Sequence, residues 1–318
     1  MNTTSVRKIC RYAVSFAAIV LLVFAIPHCM PGDPVMAFVG EDVVLTPELL
    51  DHLNTRLGLD KPLHEQFSMF LQSILNGDFG YSYRRHDTVA ALILERLPWT
   101  LSLAVTSTII GYASAVVFGS YAGWHAERRA SRGLTVAALC ISCIPAFLLG
   151  LILYAVFVYQ LRWFPFKGLY TAAPDLLDVM WHMALPVFAL SLLIFARNLL
   201  IMRGSVLTEK NQLYPQFAAS LGTPQSKILY GHVMKNAILP IITHIAMSFG
   251  SILSGALFVE IIFSLNGMGL LMYKALTALD YPVLSGLLLI LGIMVVLANI
   301  AADVLYGIVD PRVWRTDK

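Results

Sequence analysis

The chain has 318 residues, 58% of them hydrophobic and 13% charged, with a mean hydropathy of +0.73. A soluble domain carries roughly a quarter charged residues, so about half the usual charge is missing, which excludes a disordered chain and argues against an ordinary soluble enzyme. A net charge of +3 offers no basic field for nucleic acid, and four cysteines, Cys10, Cys29, Cys140 and Cys143, are too few for a disulfide framework.

Six apolar stretches, near residues 12–30, 98–122, 135–161, 182–202, 238–263 and 283–309, each hold the ~20 residues that cross ~30 Å of hydrocarbon. The expected fold class is an all-α polytopic membrane protein with six transmembrane helices. In chain order, residues 1–11 form a tail in which Arg7, Lys8 and Arg11 precede the first span, 12–30. The sequence that follows, His28-Cys29-Met30-Pro31-Gly32-Asp33-Pro34, has no small-x-small cleavage pattern, so this span reads as an uncleaved helix. Pro31, Gly32, Asp33 and Pro34 form a structural turn.

Segment 31–97 is too long for a bare connection. Thr46-Pro47-Glu48 opens one helix that Gly58 closes. Asp60 is placed to cap a second, from Pro62, with Leu63, Phe67, Phe70, Leu71, Ile74 and Leu75 as its apolar stripe and Gly77 as its stop. Asp87 is placed to cap a third, carrying Val89, Leu92, Ile93 and Leu97 toward the second span. The reading is a helical outer insertion between the first and second spans, with 98–318 as the membrane core. Within that core, Cys140 and Cys143 form a CxxC inside ALCISCIPAFLLG; with no second pair it reads as packing residues rather than a zinc site. Loop 203–237 contains an amphipathic piece, Tyr214–Gly222, a turn at Gly222-Thr223-Pro224 and a basic-apolar helix from Gln225, far more than a turn between spans needs.

Charge sets the orientation. The tail, loops 123–134 and 203–237 and the C-terminal tail hold 13 Lys and Arg against 4 Asp and Glu, whereas the opposite side holds 8 against 13. The positive-inside rule puts both termini in the cytoplasm. Of 41 charged residues, Arg197, Glu260 and Asp303 alone fall within the spans. Each costs a few kcal/mol unless it meets water or protein. Arg197 is read as structural, snorkelling to the inner surface, and Asp303 as structural too, pairing with Arg197 or bonding backbone. Glu260 stands next to the outer loop, either as a gate or pathway contact or as a buried acid bonded to Asn266–Gly269. His28, His182 and His244 lie at or within spans, with Met30, Met180, Met183 and Met247 nearby, but none stand at HxxxH spacing. They are low-ranked metal candidates, and no metal site is assigned.

Ordered blocks along nearly the whole chain carry a resemblance. They are MPGDP at Met30–Pro34, Leu57-Gly58-Leu59-Asp60-Lys61-Pro62-Leu63, Asn76-Gly77-Asp78-Phe79-Gly80-Tyr81-Ser82, Glu95-Arg96-Leu97-Pro98-Trp99-Thr100-Leu101, Ile144-Pro145-Ala146-Phe147 and Trp163-Phe164-Pro165. Val259-Glu260-Ile261-Ile262-Phe263, Asn266-Gly267-Met268-Gly269, Asp280-Tyr281-Pro282 and Asp310-Pro311-Arg312 complete the set. The chain resembles the inner-membrane permease subunits of binding-protein-dependent ABC importers of the dipeptide, oligopeptide and nickel branch. The resemblance implies the type I ABC importer permease fold in a bacterial inner membrane.

Its cytoplasmic loop is similar to the family's EAA motif. The coupling residues implied are Gln216, Phe217, Ala218, Ala219, Gly222, Lys227, Ile228 and Pro240, with Gln216 at the usual glutamate position. The resemblance also implies Glu260, Asn266, Gly267 and Gly269 as gate or pathway candidates, and alternating access for a peptide, nickel or metal–chelator cargo. The partners implied are a second homologous permease (a heterodimer), one or two cytoplasmic ATP-binding subunits, an extracytoplasmic substrate-binding protein and membrane lipid, but no nucleic acid. The chain itself has no GxxxxGK[ST] loop, so it is not expected to be an enzyme or to bind a cofactor; ATP and Mg belong to the partner subunits. Two other classes were weighed: a stand-alone secondary transporter, which wants internal repeats and buried ion sites, and a membrane-anchored sensor or assembly protein using segment 31–97.

Overall fold

The computed structural model describes residues 3–29, 60–82, 84–171 and 175–309. The turn Pro31–Pro34, the helix expected after Thr46 and the block Leu57–Leu59 lie outside them. The chain divides into two compact units, Met1–Trp99 with Gly267–Leu297, and Thr100–Asn266 with Ala298–Lys318.

In the first unit, α1 (Thr3–Cys29) and α2 (Leu63–Leu75) come first. The stripe read from the sequence packs: Phe67, Phe70, Leu71 and Ile74 close over Val20, Val23 and Leu289, while the two ends of the stripe, Leu63 and Leu75, are exposed. Pro62, not Asp60, begins α2; its carbonyl accepts the amides of Glu65 (2.9 Å) and Gln66 (3.1 Å), and no side chain caps the helix. Gly77 ends it at φ +75°, donating to Ile74 O at 3.0 Å while Asp78 donates to Ser73 O at 2.9 Å. This is a Schellman stop, in which a left-handed residue lets two amides satisfy the last carbonyls.

A short hairpin, β1 (Tyr81–Ser82) against β2 (Asp87–Thr88), is the one strand pairing among the described residues. Ser82 Oγ donates to Asp280 Oδ2, tying the hairpin to the start of α12 (Tyr281–Val309). α11 (Met268–Thr277) precedes it.

α3 (Val89–Trp124) is one continuous helix, so the limit expected at residue 97 falls inside it. Thr88 Oγ1, not Asp87, receives the first-turn amide, from Ala91 at 3.3 Å. Pro98 sits in the helix interior, where it removes one backbone hydrogen bond without ending the helix.

The second unit corrects the third span. Instead of one helix over 135–161, α4 (Arg129–Ser142) and α5 (Ala146–Leu153, continued by a π-helical turn Tyr154–Gln160) meet at 107°. Proline is the cause: Pro145 has no N–H to donate, and it pushes Ile144 away from helical backbone. Cys140 and Cys143 straddle this break as free, exposed thiols. α6 (Leu176–Lys210, with Pro186 in its interior) and α10 (Leu239–Phe263) are long apolar helices.

α3 and α6 approach closely because α3 presents Gly111, Ala115, Gly119 and Gly123 at four-residue spacing. A Cβ on Gly111, Gly119 or Gly123 would stand 2.7 Å from Cβ of Ile194, Met202 or Val206 respectively. Small residues at i, i+4 let two backbones touch where lipid supplies no hydrophobic drive. Ala138 of α4 packs on Ala196 and Leu199 by the same means.

By length and composition Val89–Trp124, Leu176–Lys210 and Tyr281–Ala301 qualify as membrane spans, and two bent helix pairs bring the number to five among the described residues. The shorter apolar helix Cys10–Ile26 within α1 stands beside these.

Candidate functional site

The loop expected to dock an ATPase begins at the end of α6. Lys210 Nζ donates to Trp124 O at 2.8 Å and lies 5.1 Å from the Trp124 ring centroid, closing the C-terminal end of α3 with a cation. α7 (Leu213–Ser220) follows after a two-residue link. It ends at Gly222, φ +78°, with Gly222 N donating to Ala219 O (3.0 Å) and Thr223 N to Ala218 O (3.1 Å), a second Schellman stop. The chain then turns into α8 (Gln225–Ile228), a π-helical turn (Leu229–Val233) and α9 (Met234–Ala237) before α10. Pro240 occupies the first turn of α10, where proline's missing donor is tolerated.

Three polar side chains brace this loop. Tyr214 Oη donates to Glu209 Oε2 at 2.6 Å, and Asn236 Nδ2 donates to the same carboxylate (3.4 Å) and to Tyr214 Oη (3.3 Å). One knot therefore joins the end of α6, the start of α7 and α9. Burial and the neighbouring Glu209 carboxylate both push the Tyr214 phenol above its ordinary pKa.

The coupling residues divide by exposure. Gln216, Phe217, Ala219, Gly222 and Lys227 face out, Ala218 is half-buried and Ile228 is buried. Gln216 Nε2 reaches only its own link, Asn211 O at 3.3 Å. Leu213, Phe217 and Leu221 are 83%, 67% and 69% exposed at i, i+4 and i+8, an apolar ridge on the outer side of α7. The sequence reading named Phe217 but not the ridge.

Among the pathway candidates, Glu260 is 1% exposed in the last turn of α10 and its carbonyl accepts Leu265 N at 2.9 Å. Ser264, left-handed at φ 52°, ends that helix, and Asn266 is exposed. Gly267 and Gly269 are buried at the start of α11. Arg197 is exposed on α6, and it forms no ion pair with Asp303.

The three histidines are each held by protein groups. His28 bonds Phe24 O and Gln66 Oε1, both at 2.9 Å; His182 Nδ1 bonds Asp178 O at 2.8 Å and lies 3.1 Å from Asp178 Oδ1. His244 Nδ1 stands 3.1 Å from Tyr112 Oη and 3.0 Å from Ser248 Oγ; Ser248 is one helical turn away, but Tyr112 lies 132 residues back, out of reach of a local pattern. Among the described residues no three His, Cys, Asp or Glu side chains gather as a metal set.

The described residues form a helical membrane protein in which a short helix, α7, stands between two long apolar helices. Residues 115–315 match the family of binding-protein-dependent transport system inner membrane components, and residues 1–104 match its N-terminal family. The chain is similar to a Brucella ovis protein named as a peptide permease (34% identity, covering 94% of this chain and 95% of the relative). It is similar also to the oligopeptide transport system permease protein AppB of Bacillus subtilis (33%; 93% and 94%) and the inner membrane ABC transporter permease protein YejB of Escherichia coli O157:H7 (34%; 85% and 77%). The chain belongs to this family: it is an ABC importer permease subunit with the type I fold, an inner membrane component.

Proposed function

We propose that the chain forms half of the pathway of an ATP-driven importer of di- or oligopeptides. A second homologous permease completes the pathway as a heterodimer, and an extracytoplasmic binding protein delivers cargo. One or two cytoplasmic ATP-binding subunits supply the ATP and Mg chemistry. The observation that carries this reading is α7, held at its start by the Glu209–Tyr214–Asn236 knot and at its end by Gly222, with Leu213, Phe217 and Leu221 outward. A short helix fixed at both ends transmits a push, and an uncovered apolar ridge suits a protein groove. In this reading both termini are cytoplasmic, segment 31–97 is the periplasmic insertion that meets the binding protein, and Glu260 with Asn266, Gly267 and Gly269 stands at the outer gate.

Peptide cargo is favoured by the names of the relatives. Nickel or a metal–chelator cargo has less behind it, since His28, His182 and His244 are each engaged by the protein's own groups. Co-purification tests the coupling. Wild-type chain retains an ATP-binding subunit, and Gly222→Pro, which removes a donor and forbids the positive φ, releases it. Uptake of labelled peptide against labelled nickel in vesicles holding the assembled complex tests the cargo. Transport by this chain alone without ATP would sink the reading.

A further inference from the structure

The two halves of α6 expose different chemistry. The first half exposes Leu176, Leu177, Met180, Trp181 and Phe188, as a face against acyl chains should. From Ala189 to Lys210 the exposed residues are Arg197, Gly204 and Thr208 alone, and they share one helical face. A Cβ built on Gly204 meets nothing within 4 Å. A cationic, bare and hydroxylated face is matched to water, not to hydrocarbon.

Arg197 lies about 6 Å past Leu193, the midpoint of this 35-residue helix. Among the described residues no carboxylate stands within ion-pair distance of it.

We propose that Arg197 is an anion-receiving group in the translocation pathway, taking the C-terminal carboxylate of a peptide as it passes along this face of α6. An exposed guanidinium with no carboxylate partner among the described residues offers two parallel N–H donors to a carboxylate. This inference rests on the peptide-importer reading.

The test is ATP-driven uptake by vesicles holding the assembled importer. It uses one labelled peptide as free acid and as C-terminal amide, a pair chosen for equal capture by the binding protein. Wild type carries the acid faster. Arg197→Gln loses about tenfold on the acid and little on the amide, and Arg197→Lys, which keeps the charge without the two-donor fork, keeps only part of the preference. Equal loss on both peptides, or no loss on either, overturns the subsite, as does failure of Arg197→Gln to co-purify the second permease, which would make this face a subunit seam. Wild-type vesicles that accumulate neither peptide overturn the peptide reading itself, and the subsite with it.

Discussion

Tyr214 and Gly222 hold the coupling helix by different means, so their substitutions fail differently. Tyr214→Phe deletes a hydroxyl that donates to Glu209 and accepts from Asn236, and about 1 kcal/mol of local stability goes with it. We expect ATP-driven uptake to fall severalfold while the membrane body's thermal midpoint barely moves. The pH dependence has a definite sign. A phenol pKa raised in the folded chain contributes stability that is fully present below the unfolded value near 10 and is lost as pH rises through the higher folded one. The knot therefore persists across the working range, and pH titration of coupling between pH 6 and 9 should show no step from Tyr214. Gly222→Ala keeps the amide donor but strains the left-handed backbone, costing about 1 kcal/mol, whereas Gly222→Pro loses both; uptake should rank wild type, Ala, Pro. Gly222 was legible as a stop because glycine in a turn after an amphipathic run has few other uses. The Glu209–Tyr214–Asn236 knot was not, since nothing in local sequence pairs positions 27 residues apart.

At the scale of elements, α3 and α6 meet in a close seam, and its cause is the four-residue spacing of small side chains. Gly119→Leu drives a side chain into Met202 and the Leu199 carbonyl, 2.7 and 3.0 Å from the new Cβ. Overpacking of this kind costs about 1–3 kcal/mol. The thermal midpoint of the purified chain should drop, whereas Gly133→Ala, where a Cβ meets nothing within 4 Å, leaves it unchanged or slightly raised. A drop of equal size in both variants would remove the seam's special status. The spacing of Gly111, Ala115, Gly119 and Gly123 was open to view in the sequence; which helix it faced was not. The broken third span is the converse case. Hydropathy sees a run of apolar residues and is blind to direction, so Pro145 had to be weighed against that run, and the local constraint on backbone won.

For the whole molecule, charge asymmetry and the coupling loop make one joint prediction. If loop 203–237 and the C-terminal tail share the cytoplasm, a C-terminal fluorescent protein that matures only there will light up. A cysteine placed at Gln216 will then react in inverted vesicles and not in intact cells; the opposite labelling pattern reverses the orientation. The two compact units partition the chain differently from the expected insertion and core. α3 crosses residue 97 without a break, and residues 267–297 cluster with the N-terminal part. A linear reading assigns domains by stretches of sequence, whereas contacts assign them by what packs, as Val89 and Ile93 do on Gly286.

Composition and motif order by themselves determined that this chain is a helical membrane protein of the importer permease family, because lipid leaves few backbone solutions and spans advertise their length. The stripe of α2, the Gly77 and Gly222 stops and the sidedness of charge were also determined locally, by periodicity and by glycine's access to positive φ. Only tertiary structure decided the bend at Pro145, the ridge of Leu213, Phe217 and Leu221, and the bracing of His244 by Tyr112 and Ser248. It also decided that Arg197 is exposed on a face whose other exposed residues, from Ala189 to Lys210, are Gly204 and Thr208. Exposure and pairing are properties of what surrounds a residue, and a chain carries that information only once its remote segments have met.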